Sequence, residues 1–177
     1  MSHPLEFIPR SIQKKVFFTL FALTLGLFGV FNMLDAPLRT SAAPNGIVSF
    51  ELAGTPERAD AILQSWDTRA RLFAAFGLGL DYLFMPVYAL TISLGVLMAS
   101  RKQSGIFASI GAYVGWGALF SAFFDVIENF ALWRLLSGWS VTPLCSRMAT
   151  INATVKFILI GVSVFFALAG WLLPKKR

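Results

Sequence analysis

Three polar residues interrupt the otherwise apolar run "FFDVIENFALWRLL", from Phe123 to Leu136. Asp125, Glu128 and Asn129 stand at i, i+3 and i+4, so a helix places all three on one face. Two neighbouring carboxylates can work as proton donor and acceptor, as acceptors for a bound ligand, or as one side of an ion-paired clasp. A charge among lipid costs about 2.5–3.5 kcal/mol on insertion scales, so this face is expected to turn inward. Asp81 in "GLGLDYLFMPVYAL" and Lys156 in the last apolar run are candidates to meet it, with Asn32 of the first run near enough in depth to join. In that constellation Asp81, Asp125 and Glu128 would accept hydrogen bonds or protons. Lys156 would balance charge or meet an anion, and Asn129 would orient a carboxylate. Glu51, Trp66 and Tyr82 are supporting candidates.

The elements that must hold these residues follow from hydropathy. The chain has 177 residues, 56% of them hydrophobic with 18 Phe, above the roughly 45–50% apolar of soluble domains. Runs over 16–34, 106–136 and 148–173 each exceed the roughly 18 apolar residues of a spanning helix, and 72–99 does so despite Asp81 and Pro86. The expectation is an all-α membrane protein: one integral membrane domain over 1–177, a bundle of four transmembrane helices. Pro86 should kink the second span at the carbonyl of Tyr82. Gly111 and Gly115, continued by Ala118 and Ala122, should let a neighbouring helix approach closely.

The external loop 35–71 is the one sizeable part outside the spans. Within it "GIVSFEL" alternates and carries β-branched residues, which suits a short extended segment. "TPERADAILQSWDTRARLF" predicts an amphipathic helix over about 56–71, because Thr55 suits the N-cap, Pro56 the first position and Glu57 the positive helix end. Ala59, Ile62, Leu63, Trp66, Ala70 and Phe73 form its apolar stripe. It is expected to lie on the membrane surface with Trp66 at the interface, or to cap the helix ends.

Charge supplies the sidedness. Arg10, Lys14, Lys15, Arg101, Lys102, Lys175, Lys176 and Arg177 fall on one side if the spans alternate, against six arginines on the other: Arg39, Arg58, Arg69, Arg71, Arg134 and Arg147. The positive-inside rule then puts both termini in the cytoplasm, for a multi-pass protein of the inner (plasma) membrane. The net charge of +6 does not indicate nucleic acid, because the basic residues flank apolar segments instead of gathering on a polar face. The first run reaches 19 residues, longer than a usual signal core, and is expected to be retained. Cys145 is the single cysteine, so no internal disulfide or CxxC pair exists. His3 is the one histidine and lies outside the spans, which removes bis-histidine haem and a histidine-rich metal site. No cofactor is expected.

Counting from the cytoplasmic ends at about 1.5 Å per residue puts Asp81 about 28 Å, Asp125 about 30 Å, Glu128 about 34 Å and Lys156 about 26 Å up. That is one level, the outer edge of a hydrocarbon core about 30 Å thick. Three readings stay open. The cluster is an outward-facing cup for a small polar or amphiphilic ligand such as a lipid headgroup, with or without proton linkage. Alternatively it is the acid/base pair of a membrane enzyme acting on a lipid-like substrate, or a clasp that holds helices in register in a structural or assembly subunit. Four spans often need a second copy to enclose a path, so a homo-oligomer joins the bilayer and a lipid-like ligand among the expected partners.

Taken together, "FELAGTPERADAILQSW", "LDYLFMPVYAL" and "FDVIENFALW" resemble a group of small, uncharacterised bacterial inner-membrane proteins with four predicted spans. The resemblance runs from about Phe50 to Leu173. It implies a bacterial membrane protein and the matching positions Phe50, Glu51, Thr55, Trp66, Asp81, Asp125, Glu128 and Asn129. It implies no reaction.

Overall fold

The computed structural model describes residues 1–138 and 143–174, and every regular element among them is helical. In chain order these are α1 (Arg10–Asp35), a 3-10 turn (Ala36–Leu38), α2 (Ile47–Glu51), α3 (Pro56–Ser65), α4 (Thr68–Ser100), α5 (Gly105–Leu136) and α6 (Pro143–Leu172). Lys175, Lys176 and Arg177, which completed the basic count, lie outside the described residues, as do residues 139–142.

The helices α1, α4, α5 and α6 are long and apolar enough to cross a membrane. The shortest, α1, has 26 residues, about 39 Å of helix against a hydrocarbon core of about 30 Å. Pro86 lies inside α4, which continues as one helix through 33 residues. Of these four helices, α4 is the most buried, whereas α1 buries only Gln13.

Two expectations for the external loop are corrected. "GIVSFEL" is not extended: Ile47–Glu51 forms one helical turn. The Asp35 carboxylate accepts the Ile47 N–H at 2.7 Å and the Ser49 hydroxyl accepts the Asn45 N–H at 3.0 Å. These local side-chain bonds offer the backbone a helical start that β-branching alone would not supply. The helix expected over 56–71 is two helices. α3 begins as read, with the Thr55 hydroxyl accepting the Arg58 N–H at 3.3 Å, and it ends at Ser65 because Trp66 is extended. Asp67 then starts α4 by accepting the Ala70 N–H at 2.7 Å.

The chain forms two compact units, to both of which each long helix contributes. The first comprises Met1–Leu25, Met85–Phe123 and Lys156–Arg177. Its apolar centre joins Leu5 to Leu94 and Leu97, with Ile8, Val16 and Phe17 against them. The Thr24 and Thr91 hydroxyls meet at 2.9 Å, which ties α1 to α4. The turn between α4 and α5 holds the end of α6: Gln103 donates to the Gly170 carbonyl at 3.2 Å and Lys102 to the Trp171 carbonyl at 2.5 Å. Those carbonyls are among the orphan acceptors of a helix end. Gly111 accommodates the Ser100 side chain of α4, a close helix approach as expected, but Gly115 accommodates the imidazole of His3.

The second unit comprises Gly26–Phe84 and Phe124–Val155. Its core brings Phe50, Ile62, Leu63 and Trp66 of the loop against Leu78 of α4, Leu132 and Leu135 of α5, and Ala149 of α6. Ala59, Ile62 and Leu63, the apolar stripe of α3, are thus spent on protein contacts. Trp66 is 3% exposed. Its indole donates to the Leu38 carbonyl at 2.8 Å and stands edge-on to Phe50, so it is a core residue and not an interface anchor.

Candidate functional site

The periodicity of α5 decides where its polar residues go. Phe123, Val126, Phe130 and Trp133 are exposed, and Ser121, Asp125, Glu128, Leu132 and Leu135 are buried. A helix whose outward positions are large and apolar must turn its acids inward when lipid is the alternative. Asp125 is 2%, Glu128 0% and Asn129 2% exposed.

Asn129 connects this face to α4. Its amide donates to the Leu78 carbonyl at 3.1 Å, one turn before Asp81 and Tyr82. The Tyr82 phenol is within electrostatic reach of both Asp81 and Asp125, so the two helices bring these three groups into one region. Asp81 is half-buried and Tyr82 is 49% exposed. Polar character therefore runs from a surface edge on α4 to a sealed interior on α5. Asp81, Asp125 and Glu128 all have interaction partners.

Lys156, Asn32 and Glu51 are the remaining sequence candidates. Lys156 is 5% exposed, has its ammonium 4.8 Å from the centre of the Phe157 ring, and has further interaction partners. Asn32 is exposed and donates to the Phe28 carbonyl of its own turn at 2.8 Å, so it does not join the acids. Glu51 is buried on α2. Its carbonyl accepts the Thr150 hydroxyl at 2.9 Å, and the same hydroxyl accepts the Gly54 N–H at 2.9 Å. One oxygen of α6 thereby fastens the α2–α3 connection.

Three buried polar groups escaped the sequence reading. Ser146 is 1% exposed, and its hydroxyl has no hydrogen-bond partner among the described residues. The same holds for the buried Nε of Arg134. His3 is 7% exposed, although it lies outside the apolar spans. Arg134 could have been found from its place in the apolar run of α5; nothing in the spacing marks Ser146 or His3. Among the described residues, no three His, Cys, Asp or Glu are grouped so as to hold a metal ion. No protein-family model, curated protein or solved structure matches this chain.

Proposed function

We propose that the chain is a multi-pass protein of a bacterial inner membrane, with cytoplasmic termini. In this reading its acid cluster binds the polar head of a small polar or amphiphilic molecule such as a lipid, with proton exchange. The observation that carries the reading is the near-complete burial of Asp125, Glu128 and Asn129 on one face of a helix apolar enough to span a membrane. Buried intramembrane carboxylates are expensive, and binding is their default use. Entry runs sideways past Asp81 and the half-exposed Tyr82, because Phe50, Ile62, Leu63 and Trp66 fill the loop side of the same unit with apolar core. Sidedness is supported by Arg10, Lys14, Lys15, Arg101 and Lys102, which flank the ends of the apolar helices that fall on one side when the spans alternate direction.

A structural clasp is favoured by one observation, the bond from Asn129 to the Leu78 carbonyl, which locks α5 to α4 without any ligand. The two readings separate in purified full-length protein in lipid nanodiscs, with retained lipids identified by mass spectrometry. A headgroup site predicts that Asp81→Asn, Asp125→Asn and Glu128→Gln lose a selectively retained lipid and keep the thermal midpoint. Loss of folding, with no selective lipid on the parent protein, would leave the clasp standing. Conversion of that lipid into a product would move the cluster to acid/base catalysis.

A further inference from the structure

We propose that residues 2–8 form an acid-released latch on the first unit, held shut by the neutral imidazole of His3 seated against Gly115. The seat is specific. A Cβ at Gly115 would lie 2.0 Å from His3 Nε2, so the ring occupies space that glycine alone leaves open. Behind it, the buried Ser93 hydroxyl donates to the Gly115 carbonyl at 3.0 Å and fixes the floor of the notch.

The proton count of the ring follows from its bonds. Nδ1 accepts the Leu5 N–H at 3.2 Å, so Nε2 carries the hydrogen of the neutral form. Protonating Nδ1 removes that acceptor, which breaks the bond shaping the segment, and it places a cation in a site 7% exposed. Among the charged groups around the ring, Arg101, in the turn just after α4, is the one that acts on it, and it repels the cation. Ser93 backbone opposes this weakly, Glu6 turns its carbonyl and not its charge to Arg101, and α5 offers Ala112, Gly115 and Trp116. Burial first and Arg101 second push the imidazole down to about 4 from 6.5.

The remaining fastenings are few. Trp116 donates to the Ser2 carbonyl at 3.2 Å and Arg101 to the Glu6 carbonyl at 3.4 Å, and Leu5 packs on Leu94 and Leu97. An open cavity of about 290 Å³ lies beside the segment, lined by His3, Glu6, Ser100, Arg101 and Ser109 among others. Release joins the vacated notch to this cavity and frees the Arg101 guanidinium.

The sign of the linkage is set by the lowered value. Docking is strongest above pH 6.5, weakens as pH falls through the window from 6.5 to about 4, and is weakest below it. Across that window the docking equilibrium falls on the order of a hundredfold.

Because His3 is the only histidine, isotope-labelled histidine in the full chain in nanodiscs gives one imidazole signal. A nitroxide on Phe7→Cys, at a position 79% exposed, reports segment mobility in parallel. The latch predicts a depressed imidazole titration accompanied by a rise in nitroxide mobility. It also predicts that Gly115→Ala frees the label at neutral pH and returns the titration to about 6.5. An imidazole titrating near 6.5 in the parent protein, or a label equally immobile from pH 7.5 to 4, overturns it. So does a folded Gly115→Ala chain that keeps the label immobile. If that variant does not fold, the parent titration and mobility decide by themselves.

Discussion

The Asn129 amide reaches the Leu78 carbonyl at 3.1 Å and so joins the buried face of α5 to the turn of α4 that precedes Asp81. Asn129→Ala removes the donor and opens a small void at a site 2% exposed. Interhelical bonds of this kind average about 0.6 kcal/mol in membrane proteins, and the void adds to it. A loss of about 1–2 kcal/mol is expected in chemical unfolding of the detergent-solubilised chain; an unchanged midpoint would show that the bond holds nothing.

Trp66 separates packing from hydrogen bonding. Trp66→Phe keeps an aromatic ring beside Phe50 but strands the Leu38 carbonyl, at about 1 kcal/mol. Trp66→Ala empties the core of the second unit and should lose about 3–5 kcal/mol. Equal effects of the two substitutions in a thermal melt would mean that the indole N–H, and not its bulk, is what matters.

Gly46 and Gly54 both have positive φ, 56° and 74°, yet they should respond differently to alanine. At Gly46 a Cβ would lie 2.0 Å from Asp35 Oδ1, the oxygen that accepts the Ile47 N–H. Gly46→Ala therefore combines backbone strain of about 1–3 kcal/mol with loss of that bond. At Gly54 no atom stands within 4 Å of the added carbon, so only the strain remains. Paired unfolding curves test the ranking, which fails if Gly54→Ala is the more damaging.

Arg101→Gln tests the order of causes at His3. Burial outranks the guanidinium in lowering the imidazole, so removing the charge should raise its titration part of the way from about 4 toward 6.5 and no further. The same substitution removes the bond to the Glu6 carbonyl, so docking should be weaker at neutral pH and less steeply dependent on pH than in the parent. A histidine-resolved NMR titration reads the shift directly; a full return to 6.5 would mean that the bond from Arg101 to the Glu6 carbonyl is indispensable to docking.

The long helices were legible because spanning length and apolar composition are properties of the chain itself, and α5 was read to within a residue. The inward turn of Asp125, Glu128 and Asn129 was legible for the same reason, being fixed by helical spacing and by what their neighbours are. Ile47–Glu51 was not, since its helical turn depends on the carboxylate of Asp35, which a local pattern does not include. The break at Trp66 was missed because its indole partner lies at Leu38, outside any helical window. Asn32 was read from depth alone, and depth does not say which way a side chain points.

The contact between His3 and Gly115 also bears on descent. A relative that puts any larger residue at the glycine has no room for the ring, and one that loses the histidine has no reason to keep the glycine. Two positions far apart in the chain should therefore change together, and their joint presence or absence would date the latch independently of everything in the acid-bearing half.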